Sequence, residues 1–164
     1  MTSGFSVLGV ALVGLACLLF GRSYAAYVKA RVSDYTAVLE FLELMRREIS
    51  CRLATPAELA SRAARGRLAE IGFLDLLLGG ESLGSAFRAT SARLALDEGD
   101  MTLVCGYFEG FGGADLEGEL RTLDAVIETL TARVSAVKAD STSQIKLARA
   151  LSVLFALGTI ILLL

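Results

Sequence analysis

Every charged side chain in this 164-residue sequence lies between Arg22 and Arg149, sixteen Lys/Arg and eighteen Asp/Glu in all. Two charge-free ends, "TSGFSVLGVALVGLACLLFG" (2–21) and "ALSVLFALGTIILLL" (150–164), therefore bracket a charged middle. A helix that is apolar all round needs lipid or a large core about it, so few architectures are open to such a chain. As a helix the first end spans about 30 Å, the thickness of a bilayer core. The second covers about 22 Å, and Lys146 and Arg149 can snorkel to bring another turn into lipid. A buried core helix is the competing reading of this shorter segment. For the first end the competitor is a cleaved leader, including a lipoprotein-type site at "GLAC" around Cys17. Only Met-Thr-Ser precedes the apolar run, so the basic n-region of a leader is missing. Gly14 also stands where that cleavage site takes a larger aliphatic residue.

The expected organisation is a transmembrane helix over 1–21, a helical domain over 22–147, and a second transmembrane helix over 148–164. Arg22, Lys29 and Arg31 follow the first span, with Phe20, Tyr24 and Tyr27 as aromatic anchors. Lys146 and Arg149 precede the second. Basic residues at both inner edges predict a cytoplasmic middle and outward termini. Ala148, Ser152 and Ala156 form a small-residue stripe, either a close-packing face for the first span or simply lipid-facing.

Within the middle, Val28, Val32, Tyr35, Leu39, Leu42 and Ile49 recur in steps of four, three, four, three and seven, with Arg46 at the skipped position. Leu116, Leu120, Leu123, Ile127, Leu130, Val134 and Val137 repeat the alternation unbroken. Both are heptad seams. Arg22 to Ile49 makes about 40 Å of helix and Leu116 to Leu147 about 46 Å, so two antiparallel helices facing along their seams are expected. The other reading packs each seam on the shorter helices between them.

Those shorter helices are punctuated legibly. Thr55, Pro56 and Glu58 make a capping box with proline in the first turn, and Gly66 is expected to end that helix. "RLAEIGFLDLLL" (67–78) reads as one apolar-faced segment stopped by Gly79-Gly80. Ser82 caps the next helix, "DEGD" (97–100) separates it from "MTLVCGYFEGF", and "GFGGAD" turns into the last long helix at Asp115. No strand period persists. The fold class is all-α, a helical bundle whose two long helices continue into the terminal spans.

Chemistry is sparse. A net charge of −2 gives no basic field for nucleic acid. Three scattered cysteines and no histidine fit neither a disulfide framework nor a zinc site. Gly110, Gly112 and Gly113 are followed by Ala114-Asp115 rather than the Lys-Ser/Thr of a phosphate loop. Asp97, Glu98 and Asp100 do not continue into a calcium loop. No nucleophile–base pair is legible, so neither an enzyme nor a cofactor or metal is expected. Most helix carboxylates read as a solvated face, with Glu117 and Glu119 as candidates for a partner-binding one.

Several motifs in order resemble the stage III sporulation protein AB family of spore-forming Firmicutes, over essentially the whole chain. "LELMRREI" carries Leu42, Met45, Glu48 and Ile49 onto a Leu-x-x-Leu-Glu-x-Glu-Ile segment, with Arg46 in place of the first glutamate. "TPAEL" keeps Thr55 and Pro56 of a Thr-Pro-Leu turn, with Ala57 for leucine. "YFEGFGGAD" places Phe111, Gly112 and Asp115 on a Leu-Gly-x-x-Asp turn, and Glu119 stands at a usual glutamine. "KLARALSVLFALGTIILLL" matches the closing apolar segment. The resemblance implies a cytoplasmic domain similar to the inner-membrane F protein of type II secretion and type IV pilus machines. It implies a place in the mother-cell membrane around the forespore, within the channel complex linking the two cells. The implied partners are a companion secretion-type ATPase, stage III sporulation protein AA, other channel-complex proteins, and further copies of the chain. An F-like platform of a pilus or secretion system, or a small membrane-permeabilising protein, are the other functional readings. Neither span carries charged pore-lining residues, which counts against the last.

Overall fold

The computed structural model describes the backbone of residues 2–52, 55–63 and 65–163. Side chains are described for 16, 19, 22–50, 55–63, 65–143, 146, 147, 150, 151, 154 and 158. Among these residues there are seven helices and no strand. Two are very long: α1 (Thr2–Arg52) and α7 (Leu116–Leu163), 51 and 48 residues, or about 77 and 72 Å. Each runs unbroken from a charge-free end into the charged middle, as the seams predicted. Between them lie α2 (Pro56–Arg62), α3 (Arg67–Glu70), α4 (Phe73–Leu78), α5 (Leu83–Ser91) and α6 (Glu98–Gly110).

The chain divides into two units, Met1–Ala30 with Val137–Leu164, and Arg31–Ala136. Among the described residues no helix is long and apolar enough to cross a membrane. Most side chains of the expected spans at 1–21 and 148–164, Cys17, Ala148, Arg149, Ser152 and Ala156 among them, lie outside the described residues.

The domain 31–136 is built around four phenylalanine rings contributed by α1, α4, α5 and α6. Phe41 meets Phe73 edge-on at 5.2 Å, Phe73 meets Phe87 at 5.9 Å, and Phe87 meets Phe108 at 5.0 Å. Phe73 and Phe108 stack at 6.1 Å. Edge-to-face pairs add roughly 0.5–1.5 kcal/mol each beyond the area they bury.

That cluster corrects the predicted seams. Val28, Tyr35, Leu42 and Ile49, the every-seventh frame on α1, are all buried. The intervening positions are Val38 and Met45, with Phe41 beside them, while Val32 and Leu39 are only half-buried. Phe41 belongs to the aromatic core, so the buried stripe is rotated towards the short helices rather than centred on the expected line. Arg46, the apparent interruption, is exposed and pairs with Asp124 on α7. On α7 the same displacement occurs. Leu123, Leu130 and Val134 are buried with Val126; Leu120, Ile127 and Val137 are half-buried; Leu116 is 45% exposed. Both readings of the seams therefore contribute. Arg46 meets Asp124 while Tyr35 and Arg133 converge on Asp100, so α1 and α7 run antiparallel within this domain.

Element boundaries follow local chemistry with three corrections. α2 starts on the Thr55–Glu58 capping box but ends at Ala63, and Gly66 instead precedes α3. The segment 67–78 is two helices, because Gly72 sits at φ 85°, a left-handed conformation that breaks the helix. Asp97 occupies the N-cap position of α6, and the rest of "DEGD" forms its first turn. Carboxylates there face the positive end of the helix dipole, so the acidic run begins the helix rather than separating it. Ser82 caps α5 as expected, accepting from the Ser85 N–H at 3.2 Å.

Candidate functional site

The turn from α6 to α7 gathers most of the motif residues. Phe111 closes α6 and packs edge-on against Tyr107 at 6.2 Å. Gly112 follows at φ 86°, where a side chain would be strained. Its N–H donates to Glu119 Oε1 at 2.7 Å, and the Ala114 N–H reaches the same oxygen at 3.4 Å. Asp115 begins α7: its Oδ1 accepts from the Gly118 N–H at 3.2 Å, and its carbonyl accepts from the Glu119 N–H at 2.9 Å. Glu119 thus reaches back one turn and closes the loop in front of it.

This changes the expected partner face. Glu119 is only 8% exposed, and its carboxylate is held by backbone amides. Glu117 does face outward, paired with Arg121 one helical turn on. Next to the turn, the Tyr107 hydroxyl is buried and has no partner among the described residues. Burial, and then the nearby Glu119 charge, push its ionisation well above the usual phenol range.

At the other motif, Glu48 pairs with Arg62 and so ties α1 to α2, while Ile49 beside it is buried. The Thr55 N–H donates to Glu58 Oε2 at 2.9 Å, and Thr55 Oγ1 accepts from the Glu58 N–H at 3.4 Å. Pro56 follows in the first turn of α2, where its missing N–H costs nothing.

The family model for stage III sporulation protein AB matches residues 6–164. The chain belongs to the stage III sporulation protein AB family. It is accordingly a stage III sporulation protein, and the match takes in most of the first charge-free end, the domain and the whole of the second end. Searches of curated proteins and of solved structures return no match.

In this sporulation protein the motif residues hold helices together. Glu48 and Glu119 secure the links on either side of the short helices, and Thr55 and Asp115 start helices. The polar residues that organise the domain most deeply are ones the periodicity did not single out. Asp34, 1% exposed on the buried stripe of α1, accepts from Arg67 Nε at 2.6 Å and from the Ala95 N–H at 2.8 Å. Asp100, 4% exposed, takes the Tyr35 hydroxyl at 2.7 Å and lies 3.4 Å from Arg133. The Tyr35 oxygen in turn accepts from the Asp97 N–H at 2.9 Å, and Arg31 sits 5.9 Å over its ring while pairing with Asp97. Burial, followed by the Asp100 hydrogen bond and charge, raises the Tyr35 phenol from 10 to about 12 despite opposing help from the Asp97 amide and Arg31. Each of these carboxylates is spent on a guanidinium, a phenol or an amide. Their arrangement positions α1, α6 and α7 against one another. A carboxylate inside an apolar stripe was the available signal for Asp34, since a buried charge needs a partner.

Proposed function

We propose that this sporulation protein is a non-enzymatic, two-pass membrane platform whose cytoplasmic domain receives the companion secretion-type ATPase, stage III sporulation protein AA. It does so within the channel complex between mother cell and forespore. The observation that carries the membrane part lies on α7. Leu147, Leu151 and Leu154, at i, i+4 and i+7, are 60%, 48% and 64% exposed. A core helix would cover such a stripe; exposed to water it forfeits about 25 cal/mol per Å² of apolar surface, a loss that lipid removes. Arg22, Lys29 and Lys146 at the inner edges favour a cytoplasmic domain. The motor partner is the one the family resemblance implies, and a domain whose motif residues serve packing is compatible with a docking role.

Two measurements test the reading on the full chain. After carbonate washing of membranes the protein should stay in the pellet, and a cysteine introduced at exposed Glu128 should react with an impermeant maleimide only once cells are opened. The detergent-solubilised chain should then retain the ATPase through affinity purification. Labelling on intact cells, or release by carbonate, removes the two-pass topology. An ATPase that washes away from a correctly inserted chain removes the platform.

A further inference from the structure

The cations of this chain divide by neighbourhood. Residues 1–30 and 137–164 hold five Lys/Arg and one Asp/Glu, against eleven and seventeen in 31–136, so the two units carry formal charges of +4 and −6. All three lysines, Lys29, Lys138 and Lys146, fall in the positive unit, and every cation of the domain is an arginine. Pairing divides them the same way. Among the described residues, seven of the domain's arginines form ion pairs with carboxylates. Arg22, Lys29, Lys138 and Lys146 are exposed, and none of them pairs with a described residue.

Their heights along the helices select what would neutralise them. Arg22 directly follows Gly21, where the first charge-free end stops, and Lys146 lies four residues, about 6 Å, before Ala150, where the second begins. Lys29 is eight residues, about 12 Å, from Gly21 and shares a face with Arg22, since seven residues return a helix to within about 20°. Lys138 is twelve residues, about 18 Å, from Ala150. The headgroup layer beyond a bilayer core is only about 5–8 Å deep. Arg22 and Lys146 therefore enter it directly, and Lys29 reaches it with its long stem. Lys138 acts only through its field, which salt screens over about 8 Å. Exposed Tyr24, Tyr27 and Leu147 offer hydrocarbon at the same levels. An acidic protein surface would supply the charge too, but both helices continue unbroken from these cations into the charge-free ends. The occupant of this level is then the occupant of the ends, which is lipid.

We propose that Arg22, Lys29 and Lys146 form a basic edge that binds the phosphates of anionic phospholipids and gathers those lipids around the protein. Ammonium and guanidinium groups hold a phosphate through charge-assisted hydrogen bonds. A zwitterionic lipid carries its own cation beside the phosphate, so it gains less. The inference rests on the two-pass reading and adds a class of lipid to it.

Native mass spectrometry of the detergent-solubilised full chain, titrated with phosphatidylglycerol or phosphatidylcholine, reads this directly. The wild type should bind phosphatidylglycerol at least ~10-fold more tightly, and raising the ammonium acetate concentration should erode that preference. Arg22→Gln and Lys146→Gln should each weaken phosphatidylglycerol binding ~5-fold, Lys29→Gln less and Lys138→Gln least, with phosphatidylcholine binding unchanged. Arg121→Gln, in the domain, should bind like the wild type. No preference in the wild type, or none lost in the edge variants, overturns the inference. Losses at Lys138 and Arg121 as large as at Arg22 mean that net charge alone attracts the lipid, and overturn it too. Variants that keep their lipid but dissociate from copies of the chain assign the edge to a protein contact, and the proposal is wrong. Carbonate washing separates the two readings. A chain released by carbonate ends the two-pass topology and the basic edge with it, whereas a retained chain without lipid preference removes the edge alone.

Discussion

The domain 31–136 and the α7 segment beyond it treat the same residue type in opposite ways. In the domain, Leu42, Leu59, Leu77, Leu83, Leu123 and Leu130 are buried to 2% exposure or less, and the deepest carboxylates have partners. On α7 after Val137, three leucines at helical spacing are 48% to 64% exposed. A single helix therefore carries leucines of both kinds along its length. Between Leu123 and Val134 it buries a narrow stripe against its own chain, and at Leu147, Leu151 and Leu154 the described leucines are uncovered. The contrast teaches that burial along α7 follows what packs beside each segment and not helix propensity, since the helix itself is unbroken.

The harshest way to break that contrast is to charge the exposed stripe. Leu151→Asp combined with Leu154→Asp should cost about 5–7 kcal/mol of insertion free energy and shift the protein from pellet to supernatant on carbonate washing. The domain's near-ultraviolet dichroism should stay unchanged. Next in size is Phe73→Ala, which removes the ring that touches Phe41, Phe87 and Phe108. It should lower domain stability by about 3–5 kcal/mol in denaturant unfolding of the detergent-solubilised chain, while carbonate resistance persists. The two variants together separate the environments: each should damage one and spare the other.

Smaller effects sharpen the account of the domain. Tyr35→Phe strips a donor from buried Asp100 and an acceptor from the Asp97 amide, for a loss of about 1–3 kcal/mol. Because the folded chain raises the Tyr35 phenol to about 12, it holds that proton more tightly than the unfolded chain does. The contribution is whole below pH 10 and is lost as pH climbs towards 12. The variant should therefore show a flatter decline of stability over that interval, with a residual slope from Tyr107. Smallest is the comparison at the head of α7. Glu119→Ala should cost about 1–2 kcal/mol by freeing the Gly112 amide, whereas Glu117→Ala, whose pair with Arg121 is solvated, should stay within about 0.5 kcal/mol. Equal losses at the two glutamates would mean that the turn is not held as described.

Much of this molecule was legible from residues close together in sequence. The absence of charge from the ends, the capping box at Thr55–Glu58, the cap at Ser82, the turn before Asp115 and the frame Val28–Tyr35–Leu42–Ile49 are each carried by one continuous stretch of sequence. Their physics is complete within the segment that carries them, so they hold wherever the segment is placed. Other features depended on residues far apart. On a helix, i+3 and i+4 border the same stripe equally, so periodicity cannot choose between Val38 and Leu39 or between Met45 and Arg46. The choice fell to Phe41 entering an aromatic cluster with side chains from three other helices. Likewise Tyr35 and Asp100 are 65 positions apart, and Arg31 and Asp97 are 66. A carboxylate shows in sequence only that it will be charged; whether it meets water or a buried donor depends on which distant helix the packing brings alongside.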